Sequence, residues 1–249
     1  MEGSVYSPVR AHFLDEVRGL SILLVVLHHT AWDLHHLFGV RLALVEHPIM
    51  DFLQPAFAGV FVFVSGMVCN TSRSNLRRGW ITLACGLAIS AATKIALPAQ
   101  TVRFGILHLL GACMLLYGWG SHWIRKLPAE VGFVLTAFLF AITRNVPDGS
   151  IGVAGWSAAL PKGWYQLDLG FIVGLPDAGF RSADYFPLIP WVFLFFAGSF
   201  LGRPVFAQRS PAWLFDLHLP PLAWLGRHTL WVYLLHQPLL FGLMNLIFQ

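Results

Sequence analysis

In the stretch "VLHHTAWDL", His29 and Asp33 stand one helical turn apart, and Arg18 precedes His29 by eleven residues. An imidazole one turn from a carboxylate can have its tautomer held and its basicity raised, which is general-base chemistry. At about 100° per residue, Arg18 and His29 differ by three turns and about 20°, so they share a face roughly 16 Å apart along the axis. On the same wheel, Asp15, Arg18, Ile22, His29, Asp33 and His36 fall within about 60°. Asp15 pairs with Arg18 at i, i+3, and His29 with Asp33 at i, i+4. His28 points about 100° away and reads as a packing residue.

Further polar groups interrupt other apolar runs. "HPIMDF" sets His47 and Asp51 at i, i+4 ahead of an apolar stretch, a second His–Asp pair nearer to water. "VRFGILHLLG" carries Arg103 and, about one and a half turns on, His108. Arg103 suits an anionic or polyhydroxyl ligand, or equally the lipid phosphates. "SADYFPLIPW" supplies Asp184 and Tyr185, and "LLHQPLL" places His236 and Gln237 directly before Pro238. That proline frees a backbone carbonyl and bends its helix, which turns His236 toward a gap in the bundle. His29, His108 and His236 thus come from three separate apolar segments. No HExxH, P-loop or GxGxxG occurs, so no metal is expected. Cys69, Cys85 and Cys113 have no CxxC spacing and read as small core residues. Should a phosphate-bearing cosubstrate bind, charge alone nominates Arg73, Arg77, Arg78, Arg203 and Arg209.

The elements that position these groups must lie in lipid. Of 249 residues, 57% are hydrophobic and 11% charged, against about 25% charged in soluble domains. A core of this size cannot hide so much apolar surface, so the rest faces a bilayer. The expected fold is all-α: a polytopic membrane bundle of about seven transmembrane helices near 13–38, 50–71, 79–97, 103–121, 130–146, 186–203 and 222–246, in one domain over 1–249. The net charge of +4 resides in short gaps between apolar runs and forms no basic stripe, so it reads as topogenic and nucleic acid is not expected. Arg10, the Arg73/Arg77/Arg78 gap, Arg125 with Lys126, and Arg203 with Arg209 then share one side. The N-terminus is accordingly expected in the cytoplasm, the C-terminus outside, and the long Gly-, Pro- and Trp-rich connection 147–185 on the outer face, as a lid or an interfacial belt.

Taken together, "DEVRGLSILLVVLHHTAWDL", "FVFVSGMV", "RFGILHLLG", "YFPLIPWVFLFFAGSFLGR" and "LGRHTLWVYLLHQPLL" resemble successive blocks of the heparan-α-glucosaminide N-acetyltransferase catalytic-domain family and its bacterial relatives. The spacing from Arg18 to His29 is also similar to the arginine/lysine-x10-histidine motif of the acyltransferase-3 superfamily. The resemblance implies transfer of acetyl from cytoplasmic acetyl-CoA to an amino or hydroxyl group of a sugar or glycan at the opposite face of a bacterial inner membrane. It implies that His29 belongs to the catalytic centre and that Arg18 supports the site or the CoA side. In the animal heparan enzymes the catalytic histidine lies just ahead of the second helix, and the nearest match here is His47, which makes it the rival of His29.

The site expected is therefore His29 with Asp33 as catalytic groups, or His47, with Asp15, Arg18, Arg103, His108, Asp184, Tyr185, His236 and Gln237 binding substrate or cosubstrate. Acetyl-CoA, the acceptor sugar and the bilayer are the partners expected, with a homodimer left open. A proton-coupled transporter, in which His29, His108 and His236 form a relay, is the alternative. The missing inverted repeat counts against it.

Overall fold

The computed structural model describes residues 12–153, 155–206 and 219–248, so Arg10 and Arg209 lie outside it. Helices dominate: α1 (His12–His36), α2 (Ile49–Val68), α3 (Asn75–Ala96), α4 (Ile106–Ile124), α5 (Ala129–Thr143), α6 (Gly170–Val173), α7 (Leu188–Phe206), α8 (Pro220–Arg227) and α9 (Thr229–Phe248). Five segments among the described residues are long and apolar enough to cross a membrane: Ile49–Val68, Asn75–Ala96, Ala129–Asp148, Leu188–Phe206 and Thr229–Phe248. Such helices satisfy their own backbone, which is what lets them replace water with lipid. The exposed row Leu235, Leu239, Leu243 and Leu246 on α9 is a lipid-facing surface of that kind.

Two compact units make up the chain. The first joins Met1–Phe61 to Arg209–Gln249, so that α1, most of α2, α8 and α9 pack together. Backbones meet closely there. A Cβ on Gly19 of α1 would lie 2.0 Å from the Leu222 carbonyl oxygen of α8, and one on Gly226 would lie 1.7 Å from that of Asp15. Only glycine at both positions lets the two helices touch. Glu16, buried in α1, accepts the N–H of Leu219 at the start of α8 (2.5 Å).

The expected single helix over 222–246 is two. The chain breaks at His228, whose N–H bonds the carbonyls of Trp224 and Leu225 and whose ring nitrogen contacts Trp224 again. The break frees α8 to lie against the first turns of α1 while α9 runs beside the rest of that helix. The break falls where the polar run Gly226-Arg227-His228-Thr229 interrupts the apolar pattern.

The second unit, Val62–Gln208, holds the end of α2, α3 to α7 and a small hairpin. Gly66 of α2 and Gly198 of α7 form a reciprocal pair: a Cβ on either would come within about 2 Å of a carbonyl, that of Phe195 or Phe63 respectively. Such a close approach needs a small residue on each helix. Helix α3 begins earlier than the apolar pattern indicates, because the Ser74 hydroxyl accepts the Arg77 N–H and caps it (3.2 Å). Arg77 and Arg78 are thus first-turn helix residues, not part of a loop. The connection 147–185 is structured: β1 (Ser150–Val153) and β2 (Trp156–Ala159) pair antiparallel, with Ser150 opposite Ala159, and α6 follows.

Candidate active site

The polar stripe of α1 is set against α9. Arg18 Nη2 donates to Thr229 Oγ1 at 2.8 Å, and its guanidinium lies over the Phe61 ring at 5.6 Å. Further along, the rings of His29 and His236 are 5.3 Å apart, and Gln237 Nε2 donates to Asp33 Oδ2 at 2.7 Å. These three contacts advance together along both helices, so α1 and α9 run in the same sense. Asp15, at the first turn, is buried against α8 instead, and His36 stacks on Trp32 at 4.5 Å, exposed.

Asp33 is 0% exposed. Its partner is the Gln237 amide; no hydrogen bond joins it to His29 among the described residues. The expected His29–Asp33 dyad is therefore replaced by an interhelical carboxylate–amide pair beside the histidines. Side chains one turn apart on one helix share a face, but a neighbouring helix brings a donor closer than its own next turn can.

The bonding leaves this place incomplete. Asp33 Oδ1, Gln237 Oε1 and His236 Nε2 are buried and have no hydrogen-bond partner among the described residues. Buried polar atoms are nearly always satisfied, so three open ones within two adjoining helical stretches mark a place with unused hydrogen-bonding capacity. His236 Nδ1 is 2.7 Å from the Tyr233 carbonyl oxygen, which can only accept. That contact assigns the ring proton to Nδ1 and leaves Nε2 with a lone pair in the neutral ring. His28 meets His29 edge-on at 5.8 Å. A neutral base beside a second imidazole, with a carboxylate and an amide oxygen open next to it, can take a proton from a hydroxyl or amine and hold the donor in place.

The other expected site residues lie elsewhere. His47 is exposed and its Nδ1 accepts the Ile49 N–H at the start of α2 (3.2 Å), while Asp51 is exposed in the first turn. His108, 4% exposed, uses both ring nitrogens within the second unit: Nδ1 accepts from Gly105 N–H (3.2 Å) and Nε2 contacts Ser90 Oγ (3.3 Å). It is a satisfied core histidine whose ring fills the space left by Gly86. Asp184 Oδ2 accepts the Ile106 N–H (3.0 Å), a helix cap supplied from 78 residues away. Tyr185 donates to the Phe171 carbonyl (2.6 Å), and burial pushes its phenol pKa up. Exposed Arg103 lies over the Phe180 ring at 5.4 Å, beside Tyr185 at 4.7 Å from that ring. Arg103, Asp184 and Tyr185 are thus brought together, in the second unit.

Sequence reasoning does not find Thr229, the partner of Arg18, or His35. The latter accepts the Leu42 N–H (3.2 Å) and pairs with Glu46 (3.3 Å), which ties the loop after α1 back onto it. Among the described residues no group of three or more His, Cys, Asp or Glu side chains could hold a metal ion.

The family described as heparan-alpha-glucosaminide N-acetyltransferase, catalytic, matches residues 10–238. The chain belongs to this family. Every residue of the α1–α9 cluster falls inside the matched span, up to and including Gln237 and Pro238. Membership marks the chain as a transferase of the acetyltransferase kind, and its helices mark it as a membrane protein. Among curated proteins and among solved structures nothing matches.

Proposed function

We propose that the chain transfers acetyl from cytoplasmic acetyl-CoA to a hydroxyl or amino group of a sugar or glycan at the outer face of the membrane. The observation that supports this most is the half-satisfied cluster of His29, Asp33, His236 and Gln237 between α1 and α9. In this reading the acceptor's O–H or N–H is held by the open oxygens of Asp33 and Gln237. The acceptor heteroatom attacks the thioester carbonyl, its bond to carbon forms, and the carbon–sulfur bond breaks. His29 takes the acceptor's proton, His236 Nε2 stands beside it to share the charge, and the CoA thiolate leaves and is reprotonated. Arg18 holds the opposite end of the stripe.

Seven crossings fit this reading, with α1 and α4 added to the five apolar spans. The first and seventh helices of such a path run in the same sense, as α1 and α9 do. The cytoplasmic N-terminus follows from the arginine-bearing gaps. Arg103, over the aromatic cluster of Phe171, Phe180 and Tyr185, offers a cation and ring faces to the acceptor sugar.

The test is acetyl transfer by the purified protein in nanodiscs, with labelled acetyl-CoA and a panel of amino sugars and glycans. His29→Ala and His236→Ala should each lose about 10²–10⁴-fold in rate, while His47→Ala keeps its activity. Full activity in both of the first two variants defeats the assignment. Activity lost only in His47→Ala moves the centre to the start of α2.

A further inference from the structure

One end of the second unit gathers cations from several elements. The segments there are the end of α2 with the turn that follows, the first turn of α3, the ends of α4 and α7, and the start of α5. Packing joins them: Asn70 Nδ2 donates to the carbonyls of Met67 (2.9 Å) and Ser199 (2.8 Å), Tyr117 donates to Asn70 Oδ1 (3.1 Å), and Leu76 of α3 lies against Gly118 of α4. These segments carry Arg73, Arg77, Arg78, Arg125, Lys126 and Arg203, against a single carboxylate, Glu130. A concentration of this kind alone is ordinary topogenic charge. What sets this end apart is a cleft of about 330 Å3 lined by Asn70, Arg125, Arg203 and Phe206.

The cleft is built, not merely charged. Arg203 Nη1 donates to the Leu127 carbonyl (2.7 Å) and Nη2 to that of Ile124 (2.5 Å), while the guanidinium lies over the Phe200 ring at 4.6 Å. Its Nε is buried and has no hydrogen-bond partner among the described residues. Neither Arg125 nor Arg203 has a carboxylate partner among the described residues. A solvated topogenic arginine needs no concavity, no fixed guanidinium and no amide locked beside it. Two cations with no counter-charge, at a concavity with an aromatic wall, match the phosphates and ring of a nucleotide.

We propose that this cleft binds the phosphate-bearing part of a nucleotide cosubstrate, with Arg125 and Arg203 on the phosphates and Phe206 against the base. The proposal rests on the acetyl-CoA reading above, and it gives that cosubstrate a docking point within the second unit. Thioester and pantetheine arm lie outside the cleft, whose volume suits the phosphates and part of the ring system.

The experiment is binding by the full chain in zwitterionic-lipid nanodiscs, with CoA, 3′,5′-ADP, pantetheine and inorganic phosphate as probes, repeated with anionic lipid. CoA and 3′,5′-ADP should bind and compete, and pantetheine should not. Arg125→Gln should weaken both by about tenfold or more, the scale of one charge-assisted hydrogen bond. Arg144→Gln, which removes an exposed cation at the far end of α5 from the cleft, should leave them unchanged. Arg203 is left intact because it also holds the end of α4. An Arg125→Gln protein that binds CoA as well as wild type overturns the cleft, as does an equal loss in Arg144→Gln. Displacement of both nucleotides by anionic lipid gives the cleft to a headgroup and also overturns it. CoA binding that ignores Arg125 in a protein that transfers acetyl leaves the catalytic reading standing. Binding that depends on Arg125 in a protein with no transfer does the reverse.

Discussion

The Asp33–Gln237 bond makes a claim that a double-mutant cycle can break. Asp33 is 0% exposed, and among the described residues the one side-chain hydrogen bond it receives comes from Gln237, 204 residues along the chain. Gln237→Leu removes that donor and leaves a buried carboxyl with neither oxygen satisfied, at a cost of about 1–3 kcal/mol. Asp33→Leu leaves the amide unsatisfied at a similar cost. Changing both to leucine removes the unmet groups together, so the double variant should be less destabilised than the sum of the singles. Hydrogen bonds between membrane helices couple by only about 0.6 kcal/mol on average and reach about 1.7 kcal/mol. A fully buried carboxyl partner places this pair near the upper figure, so the coupling expected is about 1–1.7 kcal/mol. The assay is unfolding of the four proteins in mixed micelles titrated with SDS, followed by far-UV circular dichroism. Additivity within about 0.3 kcal/mol would mean that the two side chains do not meet, and the account of the site would fall with it.

Two further outcomes follow from local geometry. Gly226→Val should prevent α8 from seating on α1, since even a Cβ would sit 1.7 Å from the Asp15 carbonyl oxygen; the expected loss is about 3 kcal/mol or more, read in the same unfolding assay, and a stability within about 0.5 kcal/mol of wild type would refute the contact. Tyr185 should add an alkaline limb to stability: burial raises its pKa in the folded state, so its contribution is whole below the ordinary value of 10 and is lost as pH climbs from there through the raised folded value. Tyr185→Phe should lose about 1 kcal/mol at neutral pH with the bond to Phe171, yet decline less between pH 10 and 12 than wild type. An alkaline limb identical in both proteins would count against it.

Much of this arrangement is legible in the sequence wherever it depends on one helix at a time. Apolar length places α1, α2, α4, α5 and α7 to within a few residues, and the 3.6-residue period puts Arg18, His29 and Asp33 on one face before any neighbour is known. What the wheel cannot reach is the partner across the gap. Thr229 looks unremarkable in "RHTLWVYLLHQP", Gln237 stands out only as a binding group, and nothing local says that either meets α1. Asp184 reads as a ligand group because its role, closing the first turn of α4, depends on a contact 78 residues back along the chain. His108 misleads in the same way: an intramembrane histidine suggests chemistry until Gly105 and Ser90 are seen to use both nitrogens. The break at His228 falls on the polar run Gly226-Arg227-His228-Thr229, a local signal that reading 222–246 as one span passes over.

The histidine pair is held by what lies on either side of it. On α1, Arg18 is eleven residues before His29 and Asp33 four residues after; on α9, Thr229 is seven residues before His236 and Gln237 the very next residue. Each outer pair is a hydrogen bond between the two helices, 2.8 Å at one end and 2.7 Å at the other, and the imidazoles meet between them. Two fixed points on each of two helices leave little freedom to slide or rotate, so the 5.3 Å ring separation is a consequence of the clamps. The clamps in turn require α9 to start beside Arg18, which the break at His228 and the glycines of α1 and α8 arrange. The arginine and the distant histidine of "RGLSILLVVLHH" thus serve one geometry: the charge anchors the partner helix at its beginning, and the apolar residues between set how far along it the imidazole is presented.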